Sequence, residues 1–155
     1  MHINAAASVV AEITASAATR DVKPEDWAPL IAEVPLFSGL SSRHVRKIAA
    51  IARIRRVPRL TDIVREGSVG TAFFVLLDGQ AEVVRKDRPV LLGPGSFFGE
   101  LALLDDGPRT ATVRALDESL LLEIPRSKFS GILKDEPTVA RTLLRELARR
   151  LRGDD

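Results

Sequence analysis

Short apolar runs separated by turn residues fill the chain between residues 54 and 124. Runs this short have the length of strands rather than of helices, and their even spacing is typical of an antiparallel sandwich or barrel. The middle of the chain is therefore predicted to form an antiparallel β-barrel or jelly roll of about eight strands. The runs are residues 63–64, 73–77, 81–84, 90–92, 111–115 and 120–124.

The dipeptide Asp78-Gly79 is the sharpest turn signal in this region, because it lies directly between two of the runs. Asp-Gly is favoured in two-residue type I′ turns, where both central residues need a positive φ. It predicts that residues 73–77 and 81–84 pair with each other as a β-hairpin.

Apolar residues recur at helical spacing on both sides of the strand-rich region. On the N-terminal side, Pro24 suits the first turn of one helix, and Ser41 or Ser42 suits the N-cap of the next. On the C-terminal side, Ser127 is predicted to cap a short helix that ends near residue 133, and Pro137 to begin a longer one. The broad apolar stripe of that longer helix consists of Val139, Ala140, Leu143, Leu144, Leu147, Ala148 and Leu151.

Together these patterns predict an α+β chain in which helices flank the antiparallel β-barrel or jelly roll. The 155 residues suffice for one domain with a core of its own. We expect residues 1–23 to form an N-terminal arm or helix and residues 24–155 to form the domain. Within that domain we expect helices over residues 24–53, the barrel over 54–124 and the C-terminal helices over 127–152.

The composition argues against an enzyme. The chain contains no cysteine, which rules out disulfides, thiol nucleophiles and thiolate metal sites. Its two histidines, His2 and His44, lie outside the strand-rich region, so neither a histidine metal site nor a nucleophile–histidine pair is expected there. We therefore expect no catalytic residue, no bound metal and no cofactor.

Charge and hydropathy constrain the partners. The formal net charge is only +2, and the arginine-rich stretches near residues 43–59 and 141–152 are more typical of solvated faces than of nucleic-acid surfaces. No run approaches the roughly 18 apolar residues that span a bilayer, and the first residues lack the basic start of a signal peptide. The expectation is a cytoplasmic protein without a membrane segment and without specific DNA binding.

The stretch from residue 97 to 113, with the sequence FFGELALLDDGPRTATV, is the part that carries recognisable chemistry. Gly99 precedes a helix-like run, whose free backbone N–H groups form a ready anion site. Arg109 can add a charge-assisted fork to a phosphate, and Glu100 can accept hydrogen bonds from a sugar hydroxyl. These residues predict a nucleotide site, with an ion pair between Glu100 and Arg109 that merely closes the loop as the structural alternative.

The same stretch resembles the phosphate-binding cassette of cyclic-nucleotide-binding domains. The resemblance rests on GELA at residues 99–102, on RTATV at residues 109–113 and on the gap between them. It extends from about residue 30 to residue 151, although residues 70–72 (GTA) stand where many members of the family carry an acidic residue. The outer signals are VPLFSGL at 34–40, EG at 66–67, LDG at 77–79 and IPR at 124–126.

The resemblance implies a role for each residue of the motif. Arg109 would bind the cyclic phosphate, Glu100 would accept the ribose 2′-hydroxyl, and backbone amides would hold the remaining phosphate oxygens. It favours cyclic AMP, and Thr110 leaves cyclic GMP open because a hydroxyl there can reach a guanine amino group. The ligand-binding residues predicted on this basis are Phe98, Gly99, Glu100, Leu101, Ala102, Arg109, Thr110 and Ala111.

The resemblance further implies a regulatory sensor, in which ligand binding reorganises residues 99–104 and shifts the C-terminal helix. A homodimer or an effector protein is the partner we expect besides the nucleotide. The alternatives are a degenerate module that binds protein rather than nucleotide, and the sensor fragment of a transcription regulator. Because the sequence ends where activator proteins of this family continue, we expect the base to be capped by apolar residues near Leu147 and Leu151, by a partner, or only poorly.

Overall fold

The computed structural model describes residues 23–104 and 107–153. Helices α1 (Pro24–Ala32) and α2 (Ser42–Ile51) precede the strands, and α3 (Arg126–Asp135) and α4 (Pro137–Leu151) follow them. Two 3₁₀ helices, Pro35–Phe37 and Glu100–Leu103, complete the helical part. The arm or helix expected over residues 1–23 lies, apart from its last residue, outside the described residues.

Eight strands form two antiparallel sheets of four strands each. The first sheet has the order β1-β8-β3-β6 and the second has the order β2-β7-β4-β5. The α+β class with two antiparallel sheets and flanking helices is confirmed, but the two sheets are not closed into a barrel. The strands are β1 (Arg53–Val57), β2 (Asp62–Val64), β3 (Ala72–Asp78), β4 (Ala81–Val84), β5 (Val90–Leu92), β6 (Phe97–Phe98), β7 (Thr112–Ala115) and β8 (Ser119–Pro125).

The predicted hairpin at Asp78-Gly79 is wrong, because the two strands it joins belong to different sheets. Strand β3 pairs with β6 and β8, whereas β4 pairs with β5 and β7. Gly79 has a φ of 96°, but Asp78 is not in the positive-φ region that a type I′ turn requires. A Cβ on Gly79 would lie 2.5 Å from Ser119 Oγ and 2.8 Å from the Glu118 carbonyl oxygen. The glycine therefore lets the chain cross closely past the start of β8 as it leaves one sheet for the other.

Strands β3 and β8 are almost wholly buried because both of their faces are covered. Successive side chains of a strand point to opposite faces. One face packs with the helices in a large apolar cluster, and the other packs with the second sheet. The helix-facing residues are Phe73, Val75, Leu77, Leu120, Leu122 and Ile124, and those that face the second sheet are Phe74, Leu76 and Leu121.

Three of the four predicted helix starts agree with the structure, and the first of them is Pro24 at the start of α1. Ser41 is the N-cap of α2, where its Oγ accepts a hydrogen bond from the His44 backbone N–H at 3.2 Å, and α4 begins at Pro137. Helix α3 begins one residue before Ser127, which is therefore not its cap; the N-cap is Pro125. Instead, the Arg126 backbone N–H donates to the Thr71 carbonyl oxygen at 2.8 Å, which ties the start of α3 to the loop before β3.

The apolar stripe of α4 divides into two faces. Val139 and Leu143 are buried in the large cluster, whereas Leu144 is 67% exposed and Leu151 is 89% exposed. The helix therefore contributes one face to the core and leaves a second apolar face uncovered in the monomer. In the described part of the chain, no helix is long and apolar enough to cross a membrane.

Glu136 joins α2 to the junction between α3 and α4. Its carboxylate contacts Lys47 Nζ at 2.7 Å, Arg43 Nη2 at 2.8 Å and His44 Nε2 at 3.4 Å, and its side chain is only 16% exposed. Hydrogen bonds from Lys47 and Arg43 lower the pKa of Glu136 from its ordinary value to about 2. Three basic side chains of one helix therefore converge on a single carboxylate in the neighbouring turn.

Candidate functional site

The backbone around Arg109 is fixed by the β2–β3 loop (residues 65–71). The Arg109 N–H donates to the Ser68 carbonyl oxygen at 2.7 Å, and the Gly67 N–H donates to the Arg109 carbonyl oxygen at 2.8 Å. The same loop also contacts the start of β7, where the Glu66 N–H donates to Thr112 Oγ1 at 2.9 Å. Because both the N–H and the C=O of Arg109 are held, its side chain leaves the backbone from a fixed position.

The Arg109 side chain is half-buried and is held by neutral groups. Its Nη2 donates to the Ala72 carbonyl oxygen at 2.5 Å, and its Nη1 donates to the Gly99 carbonyl oxygen at 3.4 Å. Among the side chains that the structure describes, no carboxylate lies within 4 Å of this guanidinium. Burial lowers the pKa of Arg109, but an arginine keeps its proton in a protein. The site thus holds a cation without a described counter-ion.

Two glycines make room for that guanidinium. Gly99 has a φ of 80°, and a Cβ on it would collide with Arg109 Nη1. A Cβ on Gly70 would lie 2.9 Å from the Ala102 Cβ and 3.0 Å from Arg109 Nε. Sequence reasoning identified Gly99 but missed Gly70 and Ala72, which lie in the segment that departs from the family pattern. Gly70 leaves space for the Arg109 side chain, and the Ala72 carbonyl oxygen accepts a hydrogen bond from it. Neither contribution could be predicted from the local sequence.

The 3₁₀ helix Glu100–Leu103 follows Gly99, as the helix-like run predicted. The Ala102 N–H donates to the Gly99 carbonyl oxygen at 3.0 Å, so this donor is engaged within the helix. Leu103 is buried in the same apolar cluster as Phe129 and Ile132 of α3. The side chains of Glu100 and Leu101 lie outside what the structure describes. Both the ribose role of Glu100 and its alternative pairing with Arg109 therefore stay predictions.

The other predicted site residues differ in how far they are buried. Phe98 is half-buried and stacks on Phe74, with the ring centroids 5.3 Å apart and the planes at 25°. Ala111 is half-buried, whereas Thr110 is exposed. Gly99 and Ala102 lie beside the Arg109 side chain, and Phe98 contacts Phe74, which lines the same cavity as Arg109.

Arg109 also lines a cavity of about 290 Å³ beneath the β2–β3 loop. Such a volume lies at the small end of the range for ligand pockets, which start at roughly 300 Å³. Its lining combines apolar side chains such as Val64 and Phe74 with Ser68 and Thr71 of the loop. A half-buried cation beside apolar and aromatic walls can bind a small organic anion that has an apolar or planar part.

Charged residues that sequence reasoning did not select line the same cavity. They are Arg55, Asp62, Arg65 and Glu123. Arg55 belongs to a run of arginines that is typical of a solvated face, and the other three occur singly. The pairing of β1 with β8 brings Arg55 to Glu123, whereas Asp62 and Arg65 are three residues apart in the chain. The two pairs belong to different sheets and meet on one cavity.

Comparison with known proteins defines the class. The family model for the cyclic nucleotide-binding domain matches residues 54–136. In structure, the chain is similar to the N-terminal domain of a transcriptional regulator from Streptomyces coelicolor A3(2), with a TM-score of 0.72 and 33% identity over 80% of this chain and 91% of that one. The chain belongs to the cyclic nucleotide-binding domain family.

Two longer relatives share this domain. A cyclic nucleotide-gated potassium channel of Rhizobium etli is 38% identical over 146 residues, which cover 92% of this chain and 41% of the channel. The cyclic AMP receptor protein of Thermus thermophilus is 35% identical over 127 residues, which cover 78% of this chain and 59% of the receptor. The chain therefore spans about half the length of these relatives.

Proposed function

We propose that this chain binds a cyclic nucleotide as a regulatory sensor in the cytoplasm, with cyclic AMP favoured over cyclic GMP, and that it is not an enzyme. The observation that carries the proposal is Arg109, a half-buried cation held by two backbone carbonyls and by no described carboxylate. One fixed cation with nearby backbone donors suits a singly charged cyclic phosphate diester. A phosphate there would replace neutral acceptors by charge-assisted hydrogen bonds.

The relatives support this ligand class. The channel from Rhizobium etli is named for a cyclic nucleotide, and the receptor from Thermus thermophilus is named for cyclic AMP. The residues proposed to hold the ligand are those of the 97–113 stretch, in the roles that the family motif implies. Glu100 would accept the ribose 2′-hydroxyl, and the amides of Leu101, Ala102 and Ala111 would donate to the phosphate, that of Ala102 after giving up its hydrogen bond to the Gly99 carbonyl oxygen.

The signal would pass from the ligand to α3 through the 3₁₀ helix. Leu103 already packs in one cluster with Phe129 and Ile132. A cavity of about 620 Å³ next to it, lined among others by Leu104, Ser130 and Leu133, leaves space for these elements to repack. A ligand that binds one arrangement more tightly would shift the population toward it.

The shift would be read out by α4. This helix follows α3 directly and exposes Leu144 and Leu151 on its uncovered face. We propose that this face contacts a second copy of the chain or an effector protein. Either partner would cover apolar surface that the monomer leaves in water.

Isothermal titration calorimetry of the full chain with cyclic AMP and cyclic GMP tests the proposal. We expect Arg109→Ala to weaken binding by at least about tenfold, since a lost charge-assisted contact costs about 1.5–3 kcal/mol. Arg56→Ala is the matched control, because Arg56 is 61% exposed and pairs with the exposed Glu118 at 3.8 Å. If neither nucleotide binds at about 100 μM, the affinity is far below that of a sensor site and the degenerate protein-binding module becomes the better interpretation.

A further inference from the structure

Four arginines share two carboxylates around the cavity that Arg109 lines. The first carboxylate, Glu123 on β8, is only 8% exposed in its side chain and contacts two of them. Arg53 Nε donates to it at 2.5 Å, and Arg55 Nη1 donates at the longer distance of 3.3 Å. One buried carboxylate therefore faces two guanidinium groups, of which Arg55 is held less closely.

The second carboxylate repeats this arrangement on the opposite sheet. Asp62 on β2 accepts a hydrogen bond from Arg114 Nε at 2.8 Å, and Arg65 Nε lies 3.4 Å away. The pKa of Asp62 lies below its ordinary value, with the hydrogen bond from Arg114 as the largest cause. Again one arginine takes the close contact and the other remains the looser partner.

The looser partner of each pair is the one that lines the cavity. Arg55 and Arg65 belong to its wall together with Arg109, whereas Arg53 and Arg114 do not. Five guanidinium groups lie around the cavity with two paired carboxylates, Glu123 and Asp62, and Glu82 acts on Arg114 from a longer distance, so positive charge is in excess among these described residues. The three guanidinium groups with the weakest contacts to carboxylates, those of Arg55, Arg65 and Arg109, therefore line the same cavity.

Guanidinium groups in this position retain unused donors. Each carries five N–H donors in a planar fork that matches the oxygens of a phosphate. A single long contact to a shared carboxylate leaves most of the fork of Arg55 and of Arg65 available. Arg55 is 43% exposed and Arg65 is 76% exposed, so water screens both and the attraction is moderate.

We propose that Arg55 and Arg65 form a second phosphate-binding subsite next to Arg109, separate from the position of the cyclic phosphate. Its ligand is a phosphate oxyanion, which is either a second phosphate group on a bound nucleotide or free inorganic phosphate. The nucleotide-borne case rests on the proposed function, whereas the free-phosphate case does not. The cavity of about 290 Å³ limits the occupant to a ligand of about nucleotide size.

Calorimetry on the full chain distinguishes the two sources of phosphate. Inorganic phosphate is titrated alone and in the presence of saturating cyclic AMP, and adenosine 3′,5′-bisphosphate is titrated for comparison with cyclic AMP. We expect the double variant Arg55→Gln/Arg65→Gln to bind inorganic phosphate or the bisphosphate about tenfold more weakly than the unaltered chain, while cyclic AMP binding changes less than about twofold. The attraction should also weaken at high salt.

The double variant Arg53→Gln/Arg114→Gln is the matched control. It removes the same charge from the same two carboxylates but touches side chains outside the cavity wall. We expect its affinity for either phosphate ligand to stay within about twofold of the unaltered chain. A thermal melt of each variant shows whether it remains folded, and the single variants Arg55→Gln and Arg65→Gln replace the double one if it does not.

Two outcomes would overturn the subsite. One is that neither phosphate ligand binds at about 10 mM, well above the concentration range of a specific site. The other is that both double variants lose affinity equally, which would indicate a general charge effect. If cyclic AMP binds and Arg109→Ala abolishes that binding in the same experiments, the proposed function stands while the subsite fails. If inorganic phosphate binds and cyclic AMP does not, the reverse holds.

Discussion

Arg109 is held by groups that a phosphate can replace. Its two acceptors are backbone carbonyls of Ala72 and Gly99, so it is oriented without being neutralised. The guanidinium lies against Gly70 and Gly99, where side chains would intrude. At the scale of the residue, the position of the Arg109 guanidinium depends on glycine at positions 70 and 99.

Substituting Gly99 tests this dependence directly. In Gly99→Ala the new Cβ would meet Arg109 Nη1, and the φ of 80° would be strained, so we expect a loss of nucleotide affinity of at least about tenfold. Gly95→Ala is the control, because Gly95 has a similar φ of 92° and nothing within 4 Å of its Cβ position. Both variants should lose about 1 kcal/mol of stability from backbone strain, and calorimetry should show weakened binding only for Gly99→Ala. Equal affinities would contradict the proposed contact.

Some residues of this site could be predicted from the sequence and others could not. Gly99 and Arg109 could be found because each belongs to a short motif with a chemical purpose. Gly70 and Ala72 could not, since what they contribute is backbone space and a carbonyl to a side chain some 37 positions away. Arg55 belonged to a stretch typical of a solvated face and Arg65 to no motif, and only the folded chain places both on one cavity.

At the scale of the element, local patterns predicted most strands but not their partners. Strands β3, β4 and β8 were evident as apolar runs. Strand β1 was missed because its sequence RIRRV is mostly charged and largely exposed, and β6 because it has only two residues. The Asp-Gly signal correctly predicted a turn after β3, but pairing depends on long-range contacts that a dipeptide does not encode.

The tie between α2 and the α3–α4 junction predicts a pH dependence. The pKa of Glu136 in the folded chain is about 2, below its ordinary value of 4.5, so its stabilising effect is fully present above about pH 4.5 and is lost as the pH falls toward 2. Glu136→Gln should therefore be less stable than the unaltered chain at pH 7, and this difference should shrink between pH 4.5 and 2. Urea unfolding at several pH values measures it.

Glu118→Gln is the control for that series, because Glu118 is 75% exposed and its contact to Arg56 is 3.8 Å long. It should follow the unaltered chain at every pH. A Glu136→Gln curve that runs parallel to the unaltered one down to pH 2 would show that the three basic side chains do not stabilise the carboxylate.

The two faces of α4 predict a large effect for one leucine and a small effect for its neighbour. Leu143 is 1% exposed, and Leu143→Ala should lower the free energy of unfolding by about 2–5 kcal/mol. Leu144 is 67% exposed, and Leu144→Ala should change the stability of the monomer by less than about 0.5 kcal/mol. Chemical denaturation of dilute protein measures both, and similar losses would mean that the uncovered face is packed in solution.

At the scale of the whole molecule, one apolar cluster joins elements from both ends of the described chain. It includes Trp27 of α1, residues of β3 and β8, Phe129 of α3 and Leu143 of α4. A cluster shared in this way favours a single cooperative transition over independent unfolding of the helices.

Trp27 provides the measurement for that cooperativity. It is the only tryptophan in the sequence, it is 6% exposed, and its indole N–H donates to the Ala49 carbonyl oxygen at 2.9 Å. We expect its fluorescence and the far-ultraviolet circular dichroism of the sheets to change with the same denaturation midpoint. An earlier fluorescence transition would reveal that the N-terminal helices separate from the sheets first.

The order of the strands also sets the order in which a growing chain can fold. In the described sheets, β1 pairs with β8 and β2 pairs with β7. Two strands from the start of the chain can therefore form their hydrogen bonds only after the last two strands have been synthesised. A nascent polypeptide that has not yet reached residue 112 can pair β3 with β6 and β4 with β5, but it leaves β1 and β2 without their partners. The pairings of β1 and β2 can be completed only after synthesis has passed β7 and β8, and until then both strands present unpaired backbone groups with which another chain can pair.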